Sequence, residues 1–430
     1  MRYLPGIIIL AVMAGCTPET GTAPTQSRVE VVKTDSDYQL LRGGEPYVIR
    51  GAGMGIDDIE RFAGHGGNSI RTWSTANEYQ DTQALLDTAH AHGITVALGL
   101  SMTAERHGFD YDDADAVARQ LETVRNEVLK YKDHPALLFW LVGNELNKSY
   151  TNPSVWDAVD DVAEMIHELD PNHPVTTPLA GFKPHVIEEI RARAPAIDFI
   201  SLQMYGSLFG LPDMIAETGF DEPFMVTEWG TIGYWEMEKT TWGTPVELTS
   251  SEKADVFLRA RNDVLARFDG QLIGSYAFLW GQKQERTPTW FGLLTEAGEE
   301  TETVDVMHYI WTGSWPENRT PRVDSIQLDG KSYKESVVLE PGKTYDATFD
   351  VVDHDGDSLV YRWEVKPESE SKKSGGDRED SLPNLEGLLS DSESASTTIT
   401  APARGRYRLF AYAYDGQGHV AHANIPFLVE

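Results

Sequence analysis

The chain has 430 residues, 40% of them hydrophobic, enough for one barrel-sized domain and a smaller companion. Its 68 acidic and 36 basic residues give a formal charge of -32. A surface that negative repels nucleic acid and anionic lipid, which argues against any role that requires binding either through charge.

Arg2 precedes an apolar stretch, Ile7 to Met13, that is too short to span a bilayer as a permanent helix. It closes on Ala14-Gly15-Cys16, small residues followed by the only cysteine in the chain. This resembles a bacterial lipobox with Met13 where leucine is usual. It implies that residues 1–16 are a lipoprotein signal, cleaved before Cys16, whose thiol is then lipidated. An ordinary signal peptide with an incidental cysteine is the alternative. A lone cysteine rules out an internal disulfide. Residues 17–37, rich in Thr and Pro up to Ser27, read as a flexible tether. The expected location is the bacterial cell envelope, lipid-anchored to the outer membrane and facing the periplasm or outward. No later segment is long and apolar enough to cross a membrane.

From Tyr38 onward, short apolar runs alternate with amphipathic segments. Tyr47–Gly51 is the first expected strand, followed by a helical segment at Ile56–Phe62. Asn68–Trp73 precedes the helix Thr82–His92, and Ile94–Leu100 precedes Ala114–Tyr131, where Val117, Leu121, Val124 and Val128 share one face. Ala136–Val142 leads to Val155–Leu169, then Val175–Leu179 to Val186–Ala192. Ile197–Met204 leads to a short segment at Met214–Thr218. Phe224–Val226 is followed by a long loop and Ser251–Phe268, and Leu272–Trp280 by the last helix, Thr303–Trp311. Eight strand–helix repeats in about 270 residues predict an α/β fold, a closed (β/α)8 TIM barrel over residues 38–317. Open doubly wound sheets rarely reach this count, and no turn here carries a Gly-rich dinucleotide fingerprint.

After Trp315-Pro316-Glu317-Asn318 the helical period disappears. Val337–Leu339, Thr344–Val351, Leu359–Val365, Thr397–Ile399, Tyr407–Tyr414 and Ile425–Val429 follow, several separated by turn signals such as Pro341-Gly342 and Asp415-Gly416. Residues 318–430 are therefore expected to form a small all-β sandwich domain. The charged, Ser- and Gly-rich stretch 368–394 reads as a disordered surface insertion. Asp353-His354-Asp355-Gly356-Asp357 resembles the Asp-rich segment of polycystic-kidney-disease-type or cadherin-like modules, which are immunoglobulin-like. Its glycine stands at the fourth position, where an EF-hand loop needs it at the sixth, so a solvated acidic turn is preferred over a Ca²⁺ site. No His/Cys cluster suggests zinc, and neither metal nor cofactor is expected.

In TIM barrels the site forms where strands run out into the following loops. The fourth run ends in Gly143-Asn144-Glu145 and the seventh in Thr227-Glu228-Trp229-Gly230. An ionised carboxylate beside a dry strand is unfavourable unless paired or used. Either glutamate alone could be satisfied by backbone donors. Two that converge over one barrel mouth supply what glycosidic bond cleavage needs: an acid for the leaving oxygen, and a carboxylate to attack carbon or activate water.

These motifs are joined by Leu41–Gly51 as entry hairpin and first strand, Gly67-Asn68-Ser69-Ile70-Arg71 at strand two and Trp280 ending strand eight. Together they resemble the clan A retaining glycoside hydrolases, and most the barrel of the family 2 β-glycosidases, over residues 38–315. The resemblance implies Glu145 as acid/base and Glu228 as nucleophile. It places Asn144 on the sugar 2-hydroxyl, with Arg71 and Tyr205 hydrogen-bonded to Glu228. The structural alternatives are an ion pair elsewhere for Arg71, a core-edge role for Tyr205 and a turn role for Asn144. A cation beside Glu228 favours its charged form, while a drier setting keeps Glu145 protonated until it donates. Sugar rings stack an apolar face on aromatic surfaces, and such residues crowd the expected loops. Trp280 is expected beneath the reacting sugar, with Trp229 and Tyr111 as further contacts and His107 reaching substrate hydroxyls. Family 2 enzymes carry sandwich domains ahead of the barrel, whereas the sandwich expected here follows it.

The expected activity is that of a retaining β-glycoside hydrolase on a β-linked oligo- or polysaccharide. A β-glucan transglycosylase with the same two glutamates and a non-catalytic glycan-binding lipoprotein are the alternatives. A metal-dependent barrel hydrolase would need a ligand cluster that the sequence lacks. The expected partners are a carbohydrate and, through the lipid alone, a membrane, with no nucleic acid.

Overall fold

The computed structural model describes residues 27–35, 37–75, 81–373 and 375–430. Cys16, the signal segment and residues 17–26 of the expected tether lie outside them. The remainder of that stretch differs from expectation: β1 (Val29–Lys33) pairs with β2 (Tyr38–Arg42), which continues into β3 (Glu45–Pro46). Val29 N–H donates to Asn172 O and Tyr38 N–H to Gly270 O, both in loops that enter barrel strands. The small sheet therefore caps the barrel at the end opposite the strand C-termini. Val29 and Leu40 pack there with Ile49, Phe139 and Tyr276.

The barrel is closed by β4 (Gly51–Gly53), β5 (Ser69–Arg71), β6 (Thr95–Leu100), β7 (Leu137–Val142), β8 (Val175–Ala180), β9 (Phe199–Gln203), β10 (Phe224–Trp229) and β11 (Leu272–Ala277). They run in the order β10-β11-β4-β5-β6-β7-β8-β9. Every residue of β6, β7 and β10 is buried, as expected for parallel strands covered on both faces. The first strand lies later than Tyr47–Gly51. A Cβ on Gly51 would sit 2.5 Å from the Tyr276 ring and one on Gly53 2.8 Å from Trp73, so the glycines let large rings fill the barrel.

The outer layer is α1 (Ile59–Gly64), α2 (Thr82–Ala91), α3 (Ala114–Tyr131), α4 (Ser154–Leu169), α5 (Pro184–Arg193), α6 (Leu211–Thr218), α7 (Ser250–Arg259) and α8 (Glu302–Thr312). Asp113 caps α3 by accepting from the Asp115 and Ala116 amides, and Thr249 and Glu252 form a capping box on α7. Beyond Arg259 the chain passes through a π turn, Ala260–Val264, and a 3-10 turn, Leu265–Phe268, where a single helix is expected from sequence.

The second domain holds β12 (Arg322–Leu328), β13 (Lys331–Ser332), β14 (Val337–Leu339), β15 (Thr344–Val352), β16 (Val360–Pro367), β17 (Ser396–Thr400), β18 (Gly405–Tyr414) and β19 (Val420–Val429). They form two four-stranded sheets, β13-β12-β15-β17 and β14-β19-β18-β16, with Phe349, Trp363, Leu409 and Ile425 in the shared core. Asp353 Oδ1 accepts from the amides of Asp355 (3.0 Å) and Asp357 (2.7 Å), so the Asp-rich segment is a hydrogen-bonded turn.

Buried charges join the domains. Lys253 Nζ lies 2.6 Å from Glu247 Oε1, Arg408 Nε 2.9 Å from Glu368 Oε2, and Asn424 Nδ2 donates to Glu247 at 2.7 Å. Elsewhere on the interface Glu300 meets His65 (3.2 Å) and His419 (3.5 Å). Of the stretch 368–394, expected to be disordered, residues 371–379, residue 374 aside, lie over the barrel, while Leu385, Leu388 and Leu389 pack on the sandwich core. Arg106 pairs with Asp377 (3.2 Å), and the Arg286 amide donates to Glu379 (3.0 Å). Composition alone could not register these distant partners. Among the described residues, no helix is long and apolar enough to cross a membrane.

Candidate active site

The two glutamates reach the mouth by different local means. β7 gives way at Gly143, whose φ of 68° and close approach to Leu146, 2.6 Å from where a Cβ would sit, suit only glycine. Its amide donates to Leu100 O and that of Glu145 to Pro178 O, so the exit is pinned to both neighbouring strands. Glu145 itself is left-handed (φ 52°), a conformation that costs a non-glycine residue about 1–2 kcal/mol. Such strain persists where surrounding structure imposes it, commonly at functional sites. Glu228, by contrast, lies within β10 and is 6% exposed.

Three donors converge on Glu228. Arg71, fully buried on β5, and Trp73 Nε1 (2.7 Å) donate to Oε1, and Tyr205 OH donates to Oε2 at 2.8 Å. Arg71 also donates to Asn144 Oδ1 at 2.5 Å, as does Gln203 Nε2 at 2.8 Å. With Oδ1 doubly occupied, Nδ2 remains the hydrogen-bonding group that Asn144 can offer a ligand. Burial and the neighbouring charge of Glu228 push the Glu145 carboxyl above its ordinary value, opposed by Lys148, whose Nζ stands 3.6 Å away. Burial and the charge of Glu228 push the Tyr205 phenol well above its usual range, so it stays a donor.

Both glutamates open onto a cavity of about 550 Å³. Trp73, Tyr205, Trp235, Phe278 and Phe291 supply its apolar walls, and Gln203, Glu236 and Glu285 are among its polar groups. Gln203 Oε1 is buried without a partner inside the protein. Glu236 has a bracing task, accepting from the amides of Gly206, Ser207 and Gly233 at 2.7–3.1 Å.

Of the residues singled out from sequence, Glu145, Glu228, Asn144 and Tyr205 line this cavity, and Arg71 lies directly behind Glu228. Four others do not reach it. Trp280 is buried edge-on to Phe62 (5.3 Å) and stacked on Trp311 (5.9 Å), under α1 and α8, so it is no platform for a sugar. Trp229 follows Glu228 by one residue and so points to the opposite face of β10, against Phe257. Tyr111 is buried with its hydroxyl on Thr103 O, and His107 lies 3.5 Å from Asp377 outside the cavity. Trp73 is one of the aromatic residues that the sequence places in the expected loops, and Gln203 has a signal that sequence could have yielded, two positions before Tyr205 at a strand exit. Phe278, Phe291 and Glu285 come from a loop without such periodicity.

Residues 56–230 match the family model described as Glycosyl hydrolases family 2, TIM barrel domain. No curated protein matches the sequence. Among solved structures, Bacteroides uniformis β-glucuronidase is similar at 14% identity and a TM-score of 0.50, over 94% of this chain and 48% of that one. Bacteroides uniformis β-glucuronidase 2, covalently bound to cyclophellitol-6-carboxylate aziridine, gives the same values. Bifidobacterium dentium β-glucuronidase, complexed with coumarin-3-O-glucuronide, is similar at 18% identity and a TM-score of 0.52, over 67% of this chain and 49% of that one. The chain thus spans about half the length of these proteins, and the likeness is one of fold.

Proposed function

We propose that this chain is a retaining β-glycoside hydrolase for neutral β-linked saccharides. The observation that carries the reading is the asymmetry between the two glutamates. Glu228 accepts hydrogen bonds from Arg71, Trp73 and Tyr205, whereas the Glu145 carboxyl is pushed above its ordinary value by burial and by the charge of Glu228. A pair of titratable groups with opposed environments is what separates an acid from a nucleophile. Glu228 attacks the anomeric carbon while Glu145 passes its proton to the leaving oxygen, so the glycosidic bond breaks as a glycosyl ester forms. Glu145, now a carboxylate, deprotonates a water that attacks the same carbon and frees Glu228. Asn144 Nδ2 is placed to hold the 2-hydroxyl. The match to the family 2 barrel model over both glutamates supports the assignment. Cys16 would hold the enzyme at a bacterial envelope membrane by lipid.

The charges lining the cavity favour a neutral sugar over a uronate. With Glu145 protonated for the first step, they are Glu228, Glu236 and Glu285 against Lys148 and Lys283. Lys283 is taken by Glu285 (2.6 Å) and Lys148 donates to Gly375 O (2.8 Å). Juxtaposed like charges cost several kcal/mol, so an aryl β-glucuronide is expected to react at least about 100-fold more slowly in kcat/KM than its best neutral counterpart. A panel of aryl β-glycosides and β-linked oligosaccharides, followed by NMR, tests both points. The β-anomer should appear first among the products; initial release of the α-anomer would sink the retaining mechanism, and preference for the glucuronide the charge argument.

The elevated carboxyl of Glu145 has a signed consequence. The first step needs its protonated form, so kcat/KM should fall as pH rises through a value above the ordinary 4.5. Glu145→Gln should abolish this limb and lower kcat/KM about 10²–10⁴-fold on oligosaccharides. It should spare the first step for a 2,4-dinitrophenyl leaving group, which needs no proton. A Gln variant that keeps the wild-type limb would remove Glu145 from the role.

A further inference from the structure

We infer that the sandwich domain completes the active site, laying a strap across the barrel mouth to form a subsite for a second sugar unit with Trp235. The strap runs from Glu368 to Glu379, residue 374 aside, between β16 and β17. Its contacts fall on loops that face each other across the barrel. Lys148, after β7, donates to Gly375 O at 2.8 Å; on the far side, after β11, Glu285 accepts from the Gly376 amide at 3.3 Å. β7 and β11 stand four places apart in the closed ring, diametrically opposed. Two further pins lie outside the cavity: Arg106 on Asp377 (3.2 Å), and Arg286, which donates through its side chain to Ser371 O and through its amide to Glu379.

The strap meets the cavity as backbone. Gly375 and Gly376 line it, and a Cβ on Gly375 would approach the Trp235 ring to 3.0 Å and Glu285 to 3.5 Å. Trp235 is 48% exposed, although Tyr205 (5.6 Å), Tyr234 (4.9 Å) and Phe291 (6.1 Å) hold its ring. A fixed, half-exposed indole facing peptide groups and a carboxylate has the chemistry of a sugar site: an apolar face for C–H groups beside polar groups for hydroxyls. Tyr205 lies between Trp235 and Glu228, so the unit held there is not the one attacked. Composition gave no hint of this, because the strap belongs to the stretch read as disordered.

The inference rests on the glycosidase reading only for the class of ligand, and the test separates the two. Binding of β-1,3- and β-1,4-linked gluco- and mannotetraoses is measured by calorimetry on Glu228→Gln protein, with and without Arg286→Ala plus Asp377→Ala. These replacements loosen the strap by removing its two side-chain pins outside the cavity, Arg286 on Ser371 O and Asp377 on Arg106, and leave the cavity lining unchanged. Kd for the tetraose that binds should rise about tenfold, and Trp235→Ala should do the same. In otherwise wild-type enzyme the unpinned form should show the loss in KM, with kcat changed less than about threefold. Binding unchanged by either alteration, or no tetraose bound at all, overturns the strap subsite. Continued turnover by Glu228→Gln would instead overturn the catalytic assignment and leave the comparison of strap variants standing. Should the double variant fold poorly, Asp377→Asn alone carries the same comparison.

Discussion

Replacing Glu228 with alanine is expected to lower kcat/KM by about 10⁴-fold or more, the scale seen when a covalent nucleophile is removed. Added azide should restore turnover on an activated aryl glycoside and give the α-glycosyl azide. A small anion can enter the space of the lost carboxylate and attack from the same side, with nothing left to invert the centre again. The surroundings make a second demand on this experiment. Arg71 is fully buried and donates to both Glu228 and Asn144, so truncation leaves a cation facing one neutral acceptor. An unpaired buried charge costs about 3–5 kcal/mol. Glu228→Gln keeps shape and one acceptor, and should match alanine in lost activity while melting closer to wild type. Wild-type turnover in either variant, or rescue that yields the β-azide, would rule out Glu228 as the nucleophile. The product anomer is read by NMR and the melting by circular dichroism.

Sequence periodicity made the barrel legible, and with it the pair of glutamates, because both depend on local pattern. The α3 segment Ala114–Tyr131 has the expected bounds, since Asp113 caps it and one apolar face runs its length. Glu145 and Glu228 stand out because an acid at the end of a dry strand is rare enough to demand a reason. Legibility ends where position depends on what packs opposite. Trp280 sits beyond the end of β11, where strand parity no longer governs direction, and Phe278 takes the cavity-facing place expected for it. The first strand lies at Gly51–Gly53, where Tyr276 and Trp73 fill the space beside the glycines, a packing that no local pattern reports. Most opaque was the strap. Its Ser, Gly and charged residues lack any hydrophobic pattern of their own, and their partners Arg106, Lys148 and Arg286 lie between 85 and 271 residues away in sequence.

Arg408→Met is expected to destabilise the protein by about 3–5 kcal/mol at neutral pH, as removal of one partner does in a buried charge network. Arg408 is 1% exposed and donates to both oxygens of Glu368 (2.9 and 3.1 Å), to Asn424 Oδ1 (2.7 Å) and to Pro245 O (3.0 Å). It also stands 4.0 Å from Glu247, itself held by Lys253, Asn424, Thr287 and Thr289. Burial alone would raise the Glu247 carboxyl, but Lys253, Arg408 and these hydrogen bonds bring it down to about 2. A depressed carboxyl adds stability above its ordinary 4.5 that is lost as pH falls toward 2. Without Arg408 that contribution shrinks, so the gap between variant and wild type should be widest near neutrality and narrow through this acid range. Urea titrations at several pH values read it directly; a gap that is constant or widens in acid would show that packing, not charge, carries the effect. The same side chain holds Glu368, where the strap leaves β16. Arg408→Met should therefore also weaken tetraose binding at temperatures where the protein remains folded, because the joint between the domains and the wall of the site share one buried arginine.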